Sequence, residues 1–165
     1  MANTAFQGAA VQTAGELPTV GTQAPDFVLT GADLGDIKLT DYAGQRLVLN
    51  IFPSLDTEVC AMSVRTFNAR AATLDNTTVL CISADLPFAM SRFCVAEGIE
   101  RAIPASTFRS DFGDSYGTRM VDGPLAGLHA RAVVVVDETG KVLYSQVVPE
   151  ITSEPDYDSA LAVLA

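Results

Sequence analysis

The sequence predicts an α/β sandwich, in which a central mixed β-sheet is flanked by helices and preceded by a short N-terminal β-hairpin. Three observations carry this. Residues 47–52 and 79–83 are apolar runs too short for helices, and they read as strands buried on both faces. Helical spacing follows each of them. Near the C-terminus, two β-branched runs flank Asp137-Glu138-Thr139-Gly140, a hairpin signal.

The elements follow in chain order. Residues 1–21 hold an alternating segment around Gly8, read as a hairpin, and then a Gly- and Pro-punctuated lead-in. Residues 27–30 form a short strand. The run from Leu47 to Phe52 stops at Pro53. Cys60, Val64, Phe67, Ala71 and Leu74 then recur at steps of 4, 3, 4 and 3, one stripe on a helix. Residues 79–83 are the second buried strand. A second helix follows Pro87, carries Met90, Phe93, Cys94 and Glu97, and stops at Gly98. Residues 103–106 make a short strand, and 131–136 and 141–148 the hairpin. Tyr157, Leu161 and Leu164 mark a C-terminal helix after Ser153-Glu154-Pro155. No internal repeat or linker interrupts the chain, so residues 1–165 are expected to form one domain.

Twenty acidic residues against ten basic ones give a formal net charge of -10. Such a chain repels phosphate backbones and anionic lipid, so neither nucleic acid nor a membrane surface is an expected partner. The N-terminal residues lack the basic start and apolar run of a secretory signal, and the expected location is the cytoplasm. Three cysteines, Cys60, Cys81 and Cys94, are too few and too uneven for a disulfide framework. No Cys-x₂₋₄-Cys pair provides a zinc chelate, and no Gly-rich phosphate loop occurs; no metal or cofactor is expected.

Cys60 occupies the position with most chemical promise. A core strand ends at Pro53, the chain turns, and a helix begins whose first turn holds Cys60. The free N–H groups and partial positive charge of a helix start favour thiolate over thiol. Asp56 and Glu58 oppose this unless they face solvent. Arg131, opening a core strand, is the candidate cation, and Thr57 could set a hydroxyl beside the sulfur or cap the helix. Cys81, inside a buried strand, reads as inert packing. His129, the single histidine, could with a cysteine suggest a hydrolase, or if protonated add to the pull on the thiolate.

The string Pro53-x-x-x-Thr57-x-x-Cys60 resembles the peroxidatic signature of the peroxiredoxins. Residues 50–67, from Asn-Ile-Phe-Pro to Val-Arg-Thr-Phe, are similar to the thiol peroxidase subfamily in particular. Val20-Gly-Thr-Gln-Ala-Pro-Asp-Phe-Val-Leu29, Asp85-Leu-Pro-Phe-Ala-Met-Ser-Arg-Phe-Cys94 and Ala130-Arg-Ala-Val-Val-Val-Val136 match in the same order. The resemblance implies a thioredoxin-like sandwich and a thiol-dependent peroxidase acting on hydrogen peroxide and on alkyl or lipid hydroperoxides. It implies Cys60 as the peroxidatic cysteine, Thr57 and Arg131 as its activating partners, Pro53 as a shield, and Cys94 as the resolving cysteine. It further implies a Cys60–Cys94 disulfide reduced by thioredoxin, a homodimer and a role in antioxidant defence. His129 departs from the pattern, which carries a leucine-like residue there.

The chemistry agrees with these residue types. A thiolate attacking a peroxide develops charge on both oxygens, which Arg131 and loop amides can stabilise. The sulfenic acid product condenses with a second thiol. Because disulfide-bonded cysteines need Cα atoms within about 7 Å, the first turn near Cys60 and the Cys94 helix are expected to unwind locally. Met90, Phe93 and Phe112 are candidates for an apolar collar, although core packing is the simpler explanation for Met90 and Phe93. A redox sensor using the same oxidation is the main alternative. A Cys-x-x-Cys oxidoreductase is disfavoured, since Thr57 stands where the other cysteine would be.

Overall fold

The computed structural model describes residues 3–71 and 74–165, with the side chain of Ala71 outside that set. Strands β1 (Asn3–Phe6) and β2 (Ala9–Gln12) pair as an antiparallel hairpin. Gln7 and Gly8 both take positive φ, 51° and 84°, as a two-residue hairpin turn requires.

A seven-stranded sheet follows, built from β3 (Val28–Gly31), β4 (Asp36–Lys38), β5 (Arg46–Ile51), β6 (Thr77–Ser83), β7 (Ala102–Ser106), β8 (Ala132–Val136) and β9 (Val142–Val147). Its order is β4-β3-β7-β6-β5-β8-β9. The β5-β6-β7 centre is parallel and the flanking pairs are antiparallel, so the sheet is mixed, as expected. The parallel centre requires crossovers, and α1 (Glu58–Ala71) and α2 (Pro87–Glu97) provide them. Pro87 opens α2, and Gly98 ends it at φ 65°, a left-handed cap that suits glycine. Short helices α3 (Phe112–Ser115) and α4 (Tyr157–Ala162) complete the layers.

Alternation along β5 feeds two cores. Leu47, Leu49 and Ile51 pack with Phe27, Phe112 and Tyr116 on one face. Val48 and Phe52 pack with Cys60, Val64 and Phe67 of α1, Met90 of α2 and Leu161 of α4 on the other. Cys60, Val64 and Phe67 of the helical stripe are thus buried, the Ala71 side chain lies outside the described residues, and Leu74 lies past the helix end and packs from the following loop.

Three elements escaped the sequence pattern. β4 is three residues with two charges, the 3₁₀ turn Leu39–Tyr42 is a single turn, and α3 is four residues with no periodicity to read. Arg131 and Lys141, placed inside strands from sequence, stand just before β8 and β9. Among the described residues, no helix is long and apolar enough to cross a membrane.

Candidate active site

β5 ends at Ile51 in the middle of the sheet, and its continuation must leave through the carboxyl edge of the parallel strands. Phe52 and Pro53 are buried there, so the chain turns over a filled core. Asp85, just beyond β6, then fixes the loop. Its carboxylate accepts from Ser54 Oγ at 2.8 Å, from the Leu55 N–H at 2.8 Å and from Ser83 Oγ at 2.6 Å. Thr57 N–H and Oγ1 both donate to the Ser54 carbonyl, at 3.2 and 3.1 Å. The Thr57 carbonyl accepts from Ala61 N–H at 3.0 Å, the first turn of α1. Thr57 therefore stands at the helix start, with its hydroxyl proton donated back to the loop.

Cys60 is completely buried in that first turn. Asp56 and Glu58 are exposed, so solvent screens the repulsion expected from them. Arg131, only 1% exposed, reaches the sulfur, with Nη2 donating to Cys60 Sγ at 3.2 Å. Nε donates to the Ile151 carbonyl at 2.9 Å, while Nη1 is buried and has no partner. No carboxylate pairs with Arg131 among the described residues. The guanidinium is thus a buried cation whose contacts are the Cys60 sulfur and one main-chain carbonyl.

The N-terminal hairpin helps to hold Arg131. Ile151 N–H donates to the Ala5 carbonyl at 2.8 Å, and Thr4 Oγ1 donates to the Val148 carbonyl at 2.8 Å. Glu150 accepts from the N–H groups of Thr152, Gly8 and Gln7, and these donors pull its carboxyl down to about 2. The hairpin thereby fixes the loop whose carbonyl orients the guanidinium.

A cavity of about 240 Å³ opens over this group. Pro53, Thr57, Val59 and Arg131 are among its lining residues, and Phe6, Leu125, Leu128 and Ile151 give it an apolar wall. The collar considered from sequence lies elsewhere. Met90 is wholly buried under α2, Phe93 packs against the same core, and Phe112 belongs to the opposite face of the sheet. Each follows its own helix into a core rather than the cavity wall.

Cys94 lies on α2, half-buried, and burial pushes its thiol up. Cys60 and Cys94 are both free thiols. Cys81 is buried on β6, and desolvation drives its thiol up to about 12, in keeping with inert packing. His129 is also buried. Its Nε2 meets Thr107 Oγ1 at 2.7 Å and its Nδ1 meets Thr118 Oγ1 at 2.9 Å. Desolvation lowers it to about 4, so it is neutral near pH 7 and adds no charge at the sulfur, contrary to the protonated role considered above.

Sequence reasoning did not single out Asp85, Ser54, Ser63, Asn50 or the Ile151 carbonyl. Asp85 sits in Ser83-Ala-Asp85, where a short acid following a hydroxyl at a strand end signals a loop-fixing turn. The others act through tertiary proximity.

The redoxin family model matches residues 19–161. A thiol peroxidase of Corynebacterium glutamicum is 59% identical over 99% of both chains. One of Mycobacterium tuberculosis is 56% identical over the same shares. Among solved structures, a peroxiredoxin-like protein from Aquifex aeolicus superposes with a TM-score of 0.93 at 37% identity, covering 98% of this chain and 95% of its own. With a full-length match in sequence and in fold, around a buried cysteine and arginine at a helix start, the chain belongs to the redoxin family, in its thiol peroxidase branch.

Proposed function

We propose that Cys60 is the nucleophile of this peroxide-reducing oxidoreductase, with Arg131 as the group that stabilises both the thiolate and the breaking O–O bond. The observation that carries this reading is the divided guanidinium. One Nη donates to Sγ at 3.2 Å, the other is a buried donor with no partner, and Arg131 is among the residues that line the cavity. A peroxide oxygen suits that vacant donor. The thiolate attacks one oxygen, the O–O bond breaks, and sulfur becomes a sulfenic acid. The other oxygen leaves as alkoxide or hydroxide and takes a proton to give alcohol or water. Developing charge on the oxygens strengthens the arginine contact in the transition state. Thr57 and Pro53 line the pocket.

Cys94 completes the cycle in this reading. Its sulfur bonds to that of Cys60, the S–O bond breaks, and the oxygen departs as water. A thioredoxin dithiol then reduces the disulfide, in a cytoplasm that keeps thiols reduced. The enzyme works as a homodimer, to which the exposed Leu86, Phe88 and Phe108 contribute apolar surface. The test is a thiol count with peptide mapping before and after one equivalent of cumene hydroperoxide. The expected result is a fall from three thiols to one, with Cys60 joined to Cys94. A Cys60 that resists oxidation overturns the nucleophile assignment, and a free Cys94 beside oxidised Cys60 overturns the resolving role.

The apolar wall predicts substrate dependence. Phe6→Ala is expected to lower kcat/KM for cumene hydroperoxide roughly tenfold, since losing about 1–2 kcal/mol of apolar contact has that effect. The value for hydrogen peroxide, which cannot reach the wall, is expected to change less than twofold by the same argument. Steady-state kinetics with both substrates check this, and equal losses would refute it.

A further inference from the structure

Beneath Cys60 lies a polar group that the chemistry above does not use. Asn50 sits on β5 between Val48 and Phe52, on the sheet face that α1 covers, and is completely buried. Its Nδ2 donates to Ser63 Oγ at 3.2 Å and, more weakly, to Cys81 Sγ at 3.7 Å. Ser63 Oγ donates to the main-chain carbonyl of Cys60 at 2.8 Å. That hydroxyl has a single proton, so it must accept from Asn50, and this fixes which way the amide points. Asn50 Oδ1 is left buried with no partner.

Each feature acts on the same turn of helix. A serine that bonds back to the carbonyl three residues earlier competes with the helical hydrogen bond and loosens the turn. An unpartnered carbonyl oxygen in an apolar core raises the free energy of the closed arrangement. When the first turn of α1 opens, main-chain N–H groups such as that of Ala61, now bonded to the Thr57 carbonyl, lose their partners. Asn50 Oδ1, on the side chain whose Nδ2 holds Ser63 of the same helix, is a buried acceptor free to take such a donor.

We propose that Asn50 and Ser63 are positioning residues that set how readily the first turn of α1 unwinds to carry Cys60 to Cys94. The pair destabilises the closed turn and offers the opened one an acceptor, so it controls the resolving step and not the attack on peroxide. This rests on Cys94 being the resolving thiol. In that step the Cys94 sulfur bonds to the Cys60 sulfur, the S–O bond breaks and water leaves.

Asn50→Leu removes the orphan acceptor and the donation to Ser63 while keeping the branched shape of the side chain, and Ser63→Ala removes the back-bond. Quenched flow with alkylation and mass analysis separates sulfenic acid formation from disulfide formation. The expected result for either variant is disulfide formation about tenfold slower, the effect of a 1.4 kcal/mol rise in barrier, with sulfenic acid formation within about twofold of the unsubstituted protein. The peroxide concentration that converts half of Cys60 to sulfinic acid falls correspondingly. Ser63→Ala keeps the test open should Asn50→Leu fold poorly. Unchanged disulfide formation, or an equal loss in both steps, overturns the inference. Failure of the unsubstituted protein to form the Cys60–Cys94 disulfide overturns the Cys94 reading itself, and is recognised because no variant is involved.

Discussion

Arg131→Met is expected to lower the second-order rate constant for peroxide by about 10²–10³-fold, the cost of removing one preorganised donor from developing negative charge. The substitution deletes the Nη2 contact with Cys60 Sγ and the unpartnered Nη1 together. It also leaves the Ile151 carbonyl without its donor. Stability is expected to change little, because removing a buried charge that lacks a carboxylate offsets the donor lost to the Ile151 carbonyl. Arg131→Lys is expected to recover only part of the rate. A lysine keeps the charge but has no fork, and cannot serve the Ile151 carbonyl, the sulfur and a peroxide oxygen at once. Stopped-flow peroxide reduction, paired with thermal unfolding, checks both variants. A methionine variant within threefold of the unsubstituted rate would remove Arg131 from the mechanism.

The second large effect concerns stability and acid. His129 is buried between two threonines and packs edge-on to Phe112, with ring centroids 5.9 Å apart. Thr107 Oγ1 donates to the Ser83 carbonyl at 3.3 Å, so its oxygen accepts from Nε2–H, and Nδ1 accepts from Thr118. Protonating Nδ1 would break that acceptance inside the core. Desolvation puts the folded value near 4 against 6.5 in the unfolded chain. The folded state therefore binds fewer protons in this window, and stability is lost as pH falls from 6.5 towards 4. The loss is roughly 3 kcal/mol. For a chain of this size it lowers Tm by roughly 6–12 °C.

Glu150 and Asp156, held low by the main-chain N–H groups of Thr152 and Ser159, contribute only below their ordinary values of 4.5 and 3.8. The window between pH 6.5 and 4.5 thus belongs to His129. His129→Gln, which does not titrate, is expected to flatten the stability profile there, as urea unfolding at pH 7, 5.5 and 4.5 would reveal. An identical slope in the variant would assign the acid sensitivity to another group.

Much of the fold was legible because its signals are local. The apolar run of β5 stops at a proline, Pro87 and Gly98 bracket α2, and Asp137 to Gly140 turn the last hairpin. Short elements such as β4 and α3 were not legible, since three or four residues carry no period. Cys60, Thr57 and Pro53 could be chosen from sequence because a helix start after a strand is itself a local feature.

The sequence by itself determined the α/β class, the order of the main elements and the position of Cys60 at a helix start. Hydrophobic period, proline and glycine write these into neighbouring residues. Only the tertiary structure decided what surrounds the sulfur. Arg131 is 71 residues from Cys60 along the chain, Ile151 is 20 from Arg131, and the hairpin that holds Ile151 lies at the other end of the protein. Tertiary packing also put Met90 into the core beneath Cys60 rather than the cavity, put Phe112 on the opposite face of the sheet and made His129 neutral, because burial depends on which surfaces meet and not on residue type. It left Asn50 Oδ1 and Arg131 Nη1 unpartnered as well. An unmet hydrogen bond depends on everything that folds around it, so no local stretch of sequence can record it.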